Sequence, residues 1–161
     1  MILYHGSVVA VEKPRLIQQN RYLDFGFGFY TASNREQTEQ FAKKTAQRRG
    51  GTPIISIYEI DEVEIKSNLS VKHFLTPNGK WLDFVSQNRT GAYCGEKFDL
   101  IIGPVANDDV YLTVQYYLTG VYTKNQALRS LKIKQLYDQY VFTTEKALSM
   151  LKFVESKEIL K

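Results

Sequence analysis

The chain contains little sulfur and little imidazole: of 161 residues, one is cysteine and two are histidine. Because Cys94 is alone, no disulfide can form within the chain, and a reducing cytoplasm is the expected location. His5 and His73 have no neighbouring thiol or imidazole in the sequence, so no metal site is predicted. No apolar run approaches the roughly 20 residues needed to cross a bilayer, and no secretory signal is recognisable, so we expect no membrane association.

Linkers, repeats and low-complexity tracts are also missing, and the chain has only 4 prolines and 10 glycines. A chain of this length with 43% hydrophobic residues can bury one ordinary core, and it is short for two domains of typical size. We therefore predict a single domain spanning residues 1–161.

Charge gives a weaker indication of function. The net charge is +4 and the isoelectric point is near 9.0, but most basic residues are interspersed with acidic ones. The densest basic run, Lys43–Arg49, is predicted to lie at the end of a helix, where cations face the negative pole of the helix dipole. We interpret the run as structural, because composition alone does not indicate nucleic-acid binding.

Hydrophobic periodicity and capping residues predict intermixed strands and helices, with few clean βαβ units, and hence an α+β fold. Residues 10–25 are predicted to form a long loop or a short helical turn. Predicted strands cover residues 2–5, 27–31, 53–60, 98–105, 137–142 and 153–160, with 63–66 extending the sheet. Five helices are predicted. The first lies between Ser33 as N-cap and Gly50 as C-cap, with Thr38, Phe41, Ala42 and Thr45 on one face, and the second covers 78–88, with Trp81, Leu82 and Val85 on one face. The third is capped by Asn107 or Asp108, the fourth begins with a capping box of Thr123 and Gln126, and the fifth covers 145–151 and is capped by Thr144.

Three short segments carry the most specific signal, and they occur in a fixed order: Tyr4-His5-Gly6-Ser7, Gly26–Ser33 and Asp138–Phe142. In this order they resemble the nicotinamide pocket of the ADP-ribosyltransferase superfamily, in its His-Tyr-Glu branch of diphtheria-toxin-like enzymes and poly-ADP-ribose polymerases. A wider pattern resembles an uncharacterised bacterial domain family related to those transferases. It includes Trp81–Val85, Asn88-Arg89, Asp99–Val105 and Thr143–Leu148.

The resemblance implies a single-domain fold with central split sheets, antiparallel or mixed, flanked by helices, and NAD as co-substrate. It implies that His5 bonds the adenine-side ribose, that the Gly6 backbone holds the nicotinamide amide, and that Tyr30 stacks on the nicotinamide ring. Ser7 and Gly28 are further expected contacts. Taken singly, each residue has an ordinary explanation: a histidine at a strand end, a core tyrosine, and glycines that mark a turn or bulge.

Gln139 departs from the pattern, because the resemblance implies a glutamate at its position. That carboxylate stabilises the positive charge that develops on the ribose, and a glutamine keeps the hydrogen bond but not the charge. Strand alternation puts Asp138 on the opposite face, so Asp109, beyond a predicted buried strand, is the preferred replacement carboxylate. Arg89 is expected either to bind the NAD diphosphate or to serve as a helix-end cation.

The favoured hypothesis is a mono-ADP-ribosyltransferase that transfers ADP-ribose from NAD to a protein or a nucleic acid. Its expected setting is a bacterial or phage-defence toxin or effector controlled by an inhibitory partner. Two alternatives remain open: a non-catalytic module that binds NAD or ADP-ribose, favoured by Gln139, and an NAD glycohydrolase with water as acceptor.

Overall fold

The computed structural model describes residues 1–17, 23–105, 108–132 and 136–160, and of residues 108 and 109 it describes only the backbone. These ranges contain seven strands and six helices. In chain order they are β1 (Ile2–Ser7), β2 (Phe29–Ala32), α1 (Arg35–Arg49), β3 (Ile54–Glu59), α2 (Glu62–Asn68), β4 (Val71–His73), α3 (Gly79–Arg89), β5 (Leu100–Pro104), α4 (Asp108–Leu118), α5 (Lys124–Lys132), β6 (Asp138–Phe142), α6 (Glu145–Leu148) and β7 (Lys152–Glu158).

The strands form one mixed sheet in the order β4-β5-β6-β2-β1-β3-β7. β4 and β5 are parallel, and the other neighbours are antiparallel. The α+β class is therefore confirmed, but the expected division into split sheets is not seen, because the described strands are joined in one sheet. The junction of β1 with β2 is narrow: Tyr4 opposite Ala32 is its one registered pair, whereas β1 and β3 pair along six residues.

Apolar side chains cover both faces of the sheet. On one face, Val141 and Ile101 pack with α3, α4 and α5, and Ile55 and Ile57 pack with Ala42 of α1. On the other face, Leu3, Phe29 and Phe142 pack with α2 and α6. Since successive residues of a strand point to opposite faces, this division fixes the direction of each side chain near the candidate site.

Several helix signals in the sequence are confirmed. Thr123 and Gln126 form a reciprocal capping box at the start of α5, with N–H···O distances of 2.8 and 3.2 Å. Asn78 caps α3 by accepting from the Trp81 N–H, and Thr144 caps α6. The predicted face of Trp81, Leu82 and Val85 is fully buried.

Other expectations are wrong in detail. The N-cap of α1 is Asn34 rather than Ser33, because the Asn34 side chain accepts from the Gln37 N–H. Phe41 is 54% exposed, although the rest of its predicted face is buried. Residues 63–66 belong to α2 and not to a strand, and β4 was not expected. The helix after Thr144 ends at Leu148, and the proposed Asn107 or Asp108 cap lies outside what the structure describes.

No helix among the described residues is long and apolar enough to span a membrane. Within the same ranges, no three His, Cys, Asp or Glu side chains are grouped so that they would hold a metal ion.

Candidate functional site

The three sequence segments meet on adjacent strands. His5 and Gly6 lie on β1, Tyr30 on β2 and Gln139 on β6, and the sheet order places β6, β2 and β1 side by side. Tyr30 is opposite Val141 and Ala32 is opposite Gln139. Tyr30 and Gln139 therefore share a face of the sheet, two positions apart along neighbouring strands.

The His5 side chain lies on the other face, where its ring stacks on Phe29 with centroids 4.4 Å apart. Its Nδ1 is 2.7 Å from the carbonyl oxygen of Tyr30. A carbonyl oxygen only accepts, so Nδ1 carries the hydrogen and Nε2 of the neutral ring is left as an acceptor. Burial lowers the pKa of His5, and the bond to the Tyr30 carbonyl opposes this shift only in part. The neutral ring is therefore the form expected near pH 7.

Tyr30 ties the preceding loop to the sheet. Its hydroxyl donates to the Gly26 carbonyl at 2.7 Å and accepts from the Phe25 N–H at 3.0 Å. Burial, followed by the negative charge of Asp24, raises the pKa of Tyr30, so the phenol stays protonated. The half-buried ring packs against the core formed with α3, α4 and α5. The structure thus gives Tyr30 a structural role, and its stacking on nicotinamide stays a prediction.

Gln139 is 4% exposed, and its Nε2 has no hydrogen-bond partner in the described part of the chain. A buried donor without an acceptor costs about 1–3 kcal/mol of folding free energy. Such groups are uncommon in folded proteins, and a functional role is one explanation for keeping one. The Gln139 amide can therefore donate a hydrogen bond to an acceptor atom that the described residues do not supply.

Gly6 and Gly28 are explained by packing. A Cβ on Gly6 would lie 2.7 Å from the Thr38 carbonyl oxygen of α1, and a Cβ on Gly28 would lie 2.8 Å from Val141 Cγ1 on β6. The glycines therefore permit the close approach of α1 to β1 and of the Gly28 loop to β6. Ser7 forms a local turn with Val9, donating to its carbonyl at 2.5 Å and accepting from its N–H at 3.2 Å. The expected contacts of these three residues with NAD remain predictions.

Arg89 forms an ion pair that the sequence did not indicate. Its Nε donates to Asp24 Oδ1 at 2.5 Å, its Nη2 contacts the same oxygen, and its guanidinium lies 4.5 Å from the centre of the Tyr111 ring. Asp24 is 6% exposed. Arg89 would therefore reach a diphosphate only in competition with Asp24. The two partners are 65 positions apart in the sequence, so no local pattern pointed to the pair.

The carboxylate proposed to replace the missing glutamate cannot be placed, because the side chain of Asp109 lies outside the described residues. Asp24 is the buried carboxylate that the structure does place near Tyr30, since its charge contributes to raising the pKa of the Tyr30 hydroxyl. The sequence pattern predicts only a loop at this residue.

Comparison with known proteins gives a family but no activity. No curated protein and no solved structure matches the chain. A family model described as "Protein of unknown function (DUF3990)" matches residues 1–153, which is nearly the whole chain, and the protein belongs to this family.

Proposed function

We propose that this protein is an NAD-dependent mono-ADP-ribosyltransferase whose site lies on β6, β2 and β1. The observation that carries the proposal is the buried Nε2 of Gln139, which has no hydrogen-bond partner among the described residues and lies on the same face as Tyr30. Both residues come from segments that resemble the transferase pocket, and the third segment lies on the next strand. An amide donor without a protein acceptor fits a site completed by a ligand oxygen.

Each residue has a role suited to the reaction. As the bond between nicotinamide and ribose breaks, its electron pair leaves with nicotinamide and positive charge builds on the ribose. Gln139 Nε2 would donate to a hydroxyl oxygen of that ribose. The His5 ring lies on the opposite face of the sheet, so it has no role in this step, and its expected contact with the adenine-side ribose is a separate prediction. The acceptor nucleophile then bonds to the anomeric carbon and releases its proton to solvent. Gln139 is neutral and does not offset the developing charge, so turnover is expected to be slower than with a carboxylate.

The same neutrality supports a second candidate, a module that binds NAD or ADP-ribose without turnover. Arg89 does not separate the two candidates, because its pairing with Asp24 bears on binding of the diphosphate and not on turnover. The two candidates share the site and differ only in the chemical step.

Labelled NAD separates them. The protein is incubated with NAD labelled in the adenine ring and a cell lysate, and label on macromolecules is measured together with free nicotinamide. Labelled macromolecules support the transferase, nicotinamide release alone supports hydrolysis, and NAD binding with neither product supports the binding module. His5→Ala tests the separate prediction of a contact with the adenine-side ribose. If that contact forms, the variant should weaken NAD binding by about 1–2 kcal/mol through the missing hydrogen bond, and His73→Ala is the matched control. Unchanged binding in His5→Ala would contradict that contact.

A second experiment tests the chemistry. Gln139→Glu adds the carboxylate that the resemblance implies, and it should raise single-turnover nicotinamide release if the pocket is otherwise transferase-like. Gln139→Ala should lower release with little change in NAD affinity. If Asp109 or another acid already supplies the charge, Gln139→Glu should give no gain, and Asp109→Asn should then lose activity. Equal release by all four proteins at the uncatalysed rate would leave only the binding module.

A further inference from the structure

The C-terminal half of α1 carries more positive charge than its position explains. Residues 40–51 contain four cations and no acidic residue: Lys43, Lys44, Arg48 and Arg49. Only Arg48 and Arg49 lie in the last turn of α1, and the effect of the helix dipole falls off beyond that turn. The dipole therefore accounts for at most half of the cluster. The acidic residues of α1 are in its other half, where Glu39 is paired with Arg35.

An exposed aromatic ring adjoins these cations. Phe41 is 54% exposed, and it lies three and seven positions before Lys44 and Arg48, on the same side of the helix. The opposite side of α1, with Ala42 and Ala46, is buried. Phe41 is thus a ring left at the surface within a cationic patch.

The patch borders the strand that carries His5, Gly6 and Ser7. A Cβ on Gly51, just beyond α1, would lie 3.3 Å from the Cβ of Val8, which directly follows β1. Gly6 itself lies under Thr38 of α1. A macromolecule on this surface would therefore lie close to one end of the candidate site.

We propose that the surface formed by Phe41, Lys44, Arg48 and Arg49 binds single-stranded nucleic acid. Cations that follow the phosphates, together with an aromatic side chain that stacks on a base, are what such a ligand requires. A membrane surface is disfavoured, because the apolar side of α1 is buried in the protein and a single ring is exposed. In the proposed transferase, this surface would make single-stranded nucleic acid the acceptor of ADP-ribose. Only this transfer rests on the proposed function, since binding of the nucleic acid needs no NAD.

The test measures the fluorescence anisotropy of a labelled single strand of about 16 nucleotides, without NAD, over a range of salt concentrations. Arg48→Gln/Arg49→Gln should weaken binding roughly tenfold and reduce the slope of log affinity against log salt by about 0.7 for each phosphate that is no longer neutralised. The matched control is Lys66→Gln/Lys146→Gln, which removes two charges from α2 and α6 on the opposite face of the sheet, and it should leave affinity nearly unchanged.

Phe41→Leu keeps an apolar side chain and removes the ring, so it should weaken binding about fivefold or more without changing the salt slope. Lys43 lies two positions after Phe41 and therefore on another side of α1, so Lys43→Gln is a second charge control and should cost less affinity than the patch variant. The inference is overturned if the wild-type protein does not bind the oligonucleotide at low salt, if the control double variant loses as much affinity as the patch variant, or if anionic vesicles bind the patch and the oligonucleotide does not.

Transfer of ADP-ribose from NAD to the oligonucleotide is measured in a separate experiment. Label transferred from NAD to the bound oligonucleotide supports it, and label on lysate proteins alone overturns it. Absence of any label or nicotinamide release contradicts the transferase itself, whereas the anisotropy result would still stand.

Discussion

Gln139 places a polar amide where an apolar side chain would be more stable. Its Nε2 is buried and has no partner in the described ranges, so Gln139→Met, of similar size, removes an unsatisfied donor. We expect the free energy of unfolding to stay unchanged or to rise by about 1 kcal/mol, while nicotinamide release is abolished. Urea denaturation and single-turnover assays measure the two effects.

Gln139→Ala is the comparison for packing, because it should lower stability by leaving a cavity. If Gln139→Met destabilises the protein by several kcal/mol, the amide contributes to folding and the argument for a ligand-binding role fails.

His5 makes stability depend on pH. Burial holds its pKa below the ordinary value of 6.5, so the unfolded chain binds a proton more readily than the folded protein. The contribution is complete above about pH 6.5 and is lost as the pH falls through the folded-state pKa, with a slope of at most about 1.4 kcal/mol per pH unit. His5→Gln should flatten the fall in unfolding free energy between about pH 7 and 5, as measured by chemical denaturation. Identical slopes in His5→Gln and the wild-type protein would exclude His5 as the cause.

At the scale of elements, the pair of Asp24 and Arg89 fastens the loop before β2 to the end of α3, and Tyr111 extends the contact to α4. Arg89→Gln removes the cation that pairs with the buried Asp24 carboxylate, and we expect a loss of about 3 kcal/mol of unfolding free energy. Asp24→Asn/Arg89→Gln should lose less than the sum of the single variants. A double-mutant cycle in urea gives the coupling, and additive losses would show that the pair contributes little.

Arg89→Gln also tests the expected contact with the diphosphate. If Arg89 exchanges Asp24 for phosphate when NAD binds, the variant should lose more affinity for NAD than for nicotinamide. Equal losses in calorimetry would assign Arg89 to structure alone.

Element types were mostly readable from the sequence, and the errors have local causes. Val63 and Ile65 alternate with charged residues as in a strand, but the Asp61 side chain accepts from the Val63 and Glu64 N–H groups and begins α2. Val63 is 75% exposed, so the alternation did not mark a buried face. Phe41 was assigned to the buried face of α1 by its spacing, but Ala46 is buried there instead.

At the scale of the whole molecule, the candidate site depends on a sheet order that periodicity does not reveal. β6 pairs with β2 although about a hundred residues separate Gln139 from Tyr30 in the sequence, and the resemblance supplied the order of the three segments but not their faces. Only the strand register shows that His5 lies on the other face of the sheet from Tyr30 and Gln139. The glycines illustrate the same limit, because Gly6 and Gly28 are required by packing against elements distant in sequence.

A series of aromatic rings connects the site to the edge of the sheet. His5 stacks on Phe29, Phe29 meets the edge of Tyr58 at 5.8 Å, and Tyr58 meets Phe153 of edge strand β7 at 5.9 Å. Phe153→Ala should therefore lower the unfolding free energy by about 1–2 kcal/mol, since the ring covers the fully buried Tyr58. Val154→Ala is the control on the same strand, where the side chain is 51% exposed, and it should cost little. Equal losses for the two variants in urea denaturation would mean that β7 is held by its backbone pairing with β3 alone, and that the ring series does not stabilise the face on which His5 lies.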